Sequence, residues 1–85
     1  MEKLRKKIVN VDKKIISLIG KRMKIVRDIG KIKKAAQMPI QDKKREELLR
    51  SMYCDIAGEY GLSPEFINKL LDAIFEEGRK VQGEL

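Results

Sequence analysis

Residues 4–36 read LRKKIVNVDKKIISLIGKRMKIVRDIGKIKKAA, and within them Leu4, Ile8, Val11, Ile15, Leu18, Arg22, Ile25, Ile29, Ile32 and Ala36 follow one another at alternating spacings of four and three. That is the spacing of a heptad seam along one face of a long α-helix. A second stripe one residue along, Val9, Ile16, Ile19, Met23 and Val26, makes the apolar face wider than a strict two-stranded coiled coil needs. The predicted helix therefore packs against several neighbours.

Gln37-Met38-Pro39-Ile40-Gln41 breaks the period, because proline cannot continue a helix and pushes the residue before it towards extended geometry. Asp42 is the expected cap of a second helix that ends at Gly61, with Leu48, Leu49, Met52, Tyr53, Ile56 and Ala57 on its inner face. Ser63-Pro64-Glu65 supplies a cap, a proline at the first helical position and an acid in the first turn. A third helix follows, with Phe66, Ile67, Leu70, Leu71, Ile74, Phe75 and Val81 inside. Nothing alternates like a strand, so the expected fold is all-α, with helices over about 2–36, 42–60 and 64–82.

At 85 residues and 9.8 kDa, residues 1–85 are expected to form a single domain, too small for a two-domain enzyme. A 42% apolar content sets the chain apart from a disordered basic tail despite its net charge of +7. With no histidine, the chain lacks the usual general base and the commonest zinc ligand; its six glycines are scattered singly, without a phosphate-binding loop. The lone Cys54 suits a reducing compartment, so a cytoplasmic location is expected. Met1-Glu2-Lys3 reads as a mature N-terminus, and no apolar run is long enough for a membrane span.

The predicted first helix is roughly 50 Å long and the other two roughly 28 Å each. A second helix folded back from Pro39 covers only half of the first and leaves Leu4 to Leu18 bare. A second copy is expected to cover them, in an intertwined dimer with the two long helices antiparallel.

Charge is distributed unevenly: residues 1–34 carry 13 Lys and Arg against 3 acids, and residues 35–85 carry 7 against 10. Most of the first helix's lysines lie off the seam and read as a solvated face. Arg22 lies on it, where an unpaired guanidinium is costly to bury. Arg5 and Lys33 fall on the flanking stripe, where they either snorkel from the helix ends or face packed surface. Along one helix Arg5 and Arg22 are about 25 Å apart, but an antiparallel partner brings Arg5 of one chain near the Arg22 to Lys33 stretch of the other. Such a pocket suits an anion. Asp42 and Glu46 share a face at the start of the second helix, with Arg45 between them, and Gly78 and Gln82 continue the inward positions of the third.

Together these elements resemble the all-helical class of chorismate mutase over nearly the whole chain. Leu4-Arg5-Lys6-Lys7-Ile8 followed by Asp12 is similar to the family's N-terminal motif, whose arginine reaches the other subunit's site. Arg22 resembles the mid-helix arginine, and Lys33 in Gly30-Lys31-Ile32-Lys33 the lysine near the helix end. Pro39-Ile40-Gln41-Asp42 with Arg45-Glu46 resembles the substrate-contacting loop and helix start, and Gln82 the late glutamine. Gly78 departs from the pattern, standing where a hydroxyl-bearing residue often contacts a substrate carboxylate.

The resemblance implies an isomerase of the shikimate pathway, serving phenylalanine and tyrosine biosynthesis, that converts chorismate to prephenate without cofactor or metal. It implies that Arg5 of the partner chain and Arg22 bind the two carboxylates and that Lys33 and Gln82 donate to the ether oxygen. Glu46 and the backbone near Asp42 would hold the ring hydroxyl, with Arg45 supporting them. Isochorismate pyruvate lyase shares this architecture and stays open as an alternative activity. A basic helical dimer could also bind nucleic acid through its outer lysines, but the few aromatics lie mostly on inner faces and the unusual cations sit in or beside the seam.

Overall fold

The computed structural model describes residues 1–85 as three helices and no strand: α1 Glu2–Ala35, α2 Lys43–Glu59 and α3 Pro64–Gly83. Each boundary has a local cause. α1 ends in a turn where the Met38 N–H donates to the Lys33 carbonyl at 2.8 Å and the Gln37 N–H to that of Lys34 at 3.2 Å, with Gln37 at φ 55°. This is the paired C-terminal motif that satisfies a helix's last carbonyls. α2 ends the same way, through Leu62 and Ala57 at 2.9 Å and Gly61 and Gly58 at 3.2 Å, with Gly61 at φ 72° taking the left-handed position. Side-chain caps open the later helices: Asp42 Oδ1 accepts from the Arg45 N–H at 3.0 Å, and Ser63 Oγ from the Phe66 N–H at 3.2 Å.

α3 is the central element. It packs on α1 along one side and on α2 along the other, while α1 and α2 do not come into backbone contact. This corrects the expectation that the second helix lies directly on the first. α3 is the more apolar and the more strongly amphipathic of the two shorter helices, which suits it to the place between α1 and α2. The buried core is small, consisting of Ala57, Ile67, Leu71 and Phe75 with Leu49, Tyr53, Cys54 and Ile74 against it. Leu48, Met52, Ile56, Phe66 and Leu70, expected inside, are exposed to solvent, the first three on a helix that packs against α3 alone.

Apart from Arg22, which is half-buried over Phe75, the heptad seam of α1 is turned to solvent: Leu4, Ile8, Val11, Ile15, Leu18, Ile25, Ile29 and Ile32 are all exposed. The flanking stripe is exposed at Val9, Ile16 and Ile19 and becomes buried or half-buried against α3 only at Met23, Val26, Gly30 and Lys33. Gly30 is required by this approach, since a Cβ there would lie 2.7 Å from both Gln82 Cγ and Leu85 Cδ1. With α1 running the full length, the chain measures 52 × 24 × 15 Å, and no helix is long and apolar enough to cross a membrane.

Candidate active site

The space that keeps α1 and α2 apart is a pocket. Arg22, Val26 and Lys33 form its α1 wall, Ile40 and Asp42 its rim, and Arg45, Glu46 and Leu49 its α2 wall; Phe75, Gly78, Arg79 and Gln82 of α3 form the floor. It encloses about 110 Å³ and opens into a groove of about 330 Å³ that adds Ile25, Ile29 and Tyr53. Ile25 and Ile29 belong to the exposed seam, so the groove lacks its outer wall in the single chain.

Four cations, Arg22, Lys33, Arg45 and Arg79, line the pocket against two carboxylates, Asp42 and Glu46. Arg22, Lys33 and Arg79 are each held by a specific contact. Lys33 Nζ donates to the Ile40 carbonyl at 2.7 Å and to Gln82 Oε1 at 3.5 Å, tying α1 to the connecting loop and to α3. Gln82 Nε2 donates to the Val26 carbonyl at 2.9 Å. These two bonds orient the Gln82 amide, because turning it over would set its NH₂ against an ammonium and its oxygen against a carbonyl. Lys33 and Gln82 each retain an N–H for a ligand. The Arg22 guanidinium, half-buried, lies 5.6 Å from the centroid of the Phe75 ring, with Arg50 at 5.2 Å from the same ring. A π-face is how the fold accommodates a cation on the seam: it offers attraction without demanding a paired carboxylate.

Seven of the eight residues singled out in the sequence, Arg22, Lys33, Asp42, Arg45, Glu46, Gly78 and Gln82, line this one pocket. Arg5 does not. It is exposed near the N-terminal end of α1, where its closest partner is Glu2 at 3.5 Å. Along α1 its 17-residue separation from Arg22 corresponds to about 25 Å. Gly78 is buried, and a Cβ there would meet only Val26, at 3.4 Å and beyond, so a small side chain fits.

A family model, chorismate mutase type II, matches residues 4–83. The chain belongs to the chorismate mutase type II family. It is 33% identical over 81 residues to a bifunctional chorismate mutase/prephenate dehydratase of Buchnera aphidicola, an alignment covering 95% of this chain and 21% of that protein. It is 27% identical over 82 residues to a chorismate mutase of Methanocaldococcus jannaschii, covering 96% and 83% respectively. The chain thus spans about a fifth of the bifunctional relative and most of the archaeal one. Among solved structures, a conserved hypothetical protein from Pyrococcus furiosus is 43% identical, with a TM-score of 0.69 over 93% of this chain and 90% of that one.

One pocket residue of this chorismate mutase type II chain escaped the sequence reading. Arg79 Nη1 donates to Glu46 Oε1 at 2.9 Å and Oε2 at 2.8 Å, across 33 residues of chain. A signal was present, since Arg79 lies three residues from Gln82, on the same side of α3. Its partner, however, sits on another helix, and helical spacing carries no information about that.

Proposed function

We propose that this chain catalyses the rearrangement of chorismate to prephenate, as an isomerase of phenylalanine and tyrosine biosynthesis working in the cytoplasm, with residues 1–85 acting as one helical unit. The observation that carries the reading is the gathering of seven separately expected residues, net cationic, around one pocket.

The chemistry suits those groups. An intramolecular Claisen rearrangement breaks an ether C–O bond while forming a C–C bond, and it needs neither nucleophile nor proton transfer. Two things must be supplied: a fold of the flexible enolpyruvyl arm over the ring, and stabilisation of the negative charge that grows on the ether oxygen. Arg22 binds one substrate carboxylate and Arg5 of a second copy binds the other, fixing the arm. Lys33 and Gln82 direct their remaining N–H donors at the ether oxygen, where loss of one such donor typically costs roughly 100- to 1,000-fold in rate. Glu46 and the backbone beside Asp42 accept from the ring hydroxyl, and Arg45 supports the carboxylate wall.

The active form is an antiparallel homodimer. Its support is twofold: the seam from Leu4 to Leu18 is bare in the single chain, and Arg5 is too far along α1 to serve its own pocket. The second copy covers the seam, closes the groove beside Ile25 and Ile29, and delivers Arg5.

The test is incubation of the purified protein with chorismate and, separately, with isochorismate, with products resolved by chromatography. Prephenate from chorismate is the expected result. Salicylate and pyruvate from isochorismate, with chorismate untouched, would assign the chain to the lyase activity instead. No turnover of either would remove the enzymatic reading.

A further inference from the structure

Arg79 and Glu46 form the only ion pair among the residues lining the pocket. Their side chains are 35% and 21% exposed, so the pair is sheltered without being sealed. The geometry is specific: a single nitrogen, Nη1, meets both carboxylate oxygens, and Nη2 and Nε make no bond within the chain. By contrast Arg50, the other arginine of the α2–α3 interface, spends its donors on Asn68 and Asp72, outside the pocket.

A carboxylate in the wall of a site for a dianion repels its own ligand unless something offsets its charge. A free glutamate side chain also samples several rotamers and presents its oxygens in no fixed direction. The Arg79 contact removes both difficulties at once. It sets a positive charge against the carboxylate and holds both oxygens from one side. Each oxygen keeps a lone pair for an outside donor, and an ionised carboxylate is an acceptor only.

We propose that Arg79 is a positioning residue that clamps the Glu46 carboxylate and offsets its charge, so that the pocket selects a dicarboxylate ligand bearing a ring hydroxyl. The inference rests on the reading above, in which Glu46 accepts from that hydroxyl. Because the hydroxyl takes no part in bond making, its recognition acts on the ground state and the transition state alike. Loss of the clamp therefore raises KM and leaves kcat largely alone.

The experiment compares wild type, Arg79→Met, Arg79→Lys and the double variant Arg79→Met/Glu46→Gln. Methionine keeps an apolar stem for packing, lysine keeps the charge and one donating nitrogen, and far-ultraviolet circular dichroism checks that each variant is folded. The readouts are kcat and KM on chorismate, and competitive inhibition by two cyclic dicarboxylates that differ only in a ring hydroxyl. Wild type should prefer the hydroxylated inhibitor by about tenfold or more, the usual weight of a hydrogen bond to a charged group. In Arg79→Met the KM should rise by about tenfold and the preference should vanish. Arg79→Lys, whose single nitrogen can also meet both oxygens, should recover most of the KM and much of the preference. Adding Glu46→Gln to Arg79→Met should lower KM again, since it removes the carboxylate left unpaired.

An unchanged hydroxyl preference in folded Arg79→Met, with wild type turning over chorismate, overturns the inference and leaves the activity standing. If wild type neither turns over chorismate nor binds either dicarboxylate, the activity falls and the inference falls with it.

Discussion

Arg5→Ala and Lys33→Ala should each abolish most activity as homodimers, yet a mixture of the two should regain a defined fraction of it. The structure sets the expectation. Arg5 stands about 25 Å along α1 from Arg22 and further still from Lys33, well beyond the reach of an arginine side chain. In the proposed dimer its target is the pocket of a second copy. Unfolding and refolding the two variants together in equal amounts exchanges subunits at random, so about half of the dimers are mixed. In a mixed dimer one site combines the intact Lys33 of the first variant with the intact Arg5 of the second, and the other site carries both lesions. One sound site in each mixed dimer then gives about one quarter of wild-type activity per subunit.

The assay follows chorismate disappearance before and after co-refolding, with native mass spectrometry reporting the mixed species. Sites carrying one lesion should contribute little, given the roughly 100-fold or greater loss expected when a preorganised cationic donor is removed. Recovery near 25% supports a shared site. If mixed dimers form and activity stays at the level of the single variants, Arg5 acts in its own chain or not at all, and the antiparallel arrangement is wrong.

Three further outcomes are expected. The thermal midpoint should rise with protein concentration, because the proposed dimer gains its stability by covering the exposed seam of α1; a fully folded monomer at micromolar concentration in light scattering would remove that arrangement. Gly30→Ala should destabilise the chain by roughly 1–3 kcal/mol, a cost typical of overpacking, because its Cβ falls 2.7 Å from Gln82 and Leu85, whereas Gly78→Ala, with 3.4 Å to Val26, should stay within about 1 kcal/mol of wild type by thermal denaturation. In Gln82→Glu the new side chain donates only while protonated and repels the developing charge once ionised, so the variant's activity relative to wild type should climb as pH falls from 8 towards a free glutamic acid's pKa of about 4.3; a constant ratio would release Gln82 from its assigned role.

What the sequence disclosed depended on whether a feature belonged to one helix or to a pair. The α1 periodicity, the break at Pro39 and the caps at Asp42 and Ser63 are matters of local spacing and local hydrogen bonding, and the helices follow them. Arg22 and Lys33 were conspicuous for a similar reason, as charges at apolar positions. The gathering of Asp42, Arg45, Glu46, Gly78 and Gln82 with them was implied by the resemblance to the family's spaced motifs, since no single helix's period could give it. Arg79 was missed because its meaning lies in a partner 33 residues away on another helix. The packing order was missed likewise: periodicity tells which side of a helix is apolar, not which neighbour meets it, and the heptad seam apart from Arg22 was the outer face while the flanking stripe met α3 from Met23 onward.

The small core sharpens the functional argument. Four buried apolar side chains between α2 and α3 hold the chain's own fold, while the N-terminal half of α1 carries Leu4, Ile8, Val11, Ile15 and Leu18, all half-exposed or more. Each of these, fully buried, is worth about 1.5–3 kcal/mol relative to exposure, so a second copy covering both seams adds a stabilisation comparable with that of a whole small domain. In the proposed dimer the segment that gains this burial is the segment that bears Arg5. Covering the seam and delivering the second carboxylate-binding arginine then become a single event, and a chain that has not dimerised presents a pocket with its floor and two walls but without one of its ligand-binding cations. Substitutions on the seam should therefore lower activity and stability together, whereas substitutions on the pocket floor at Gln82 should separate them.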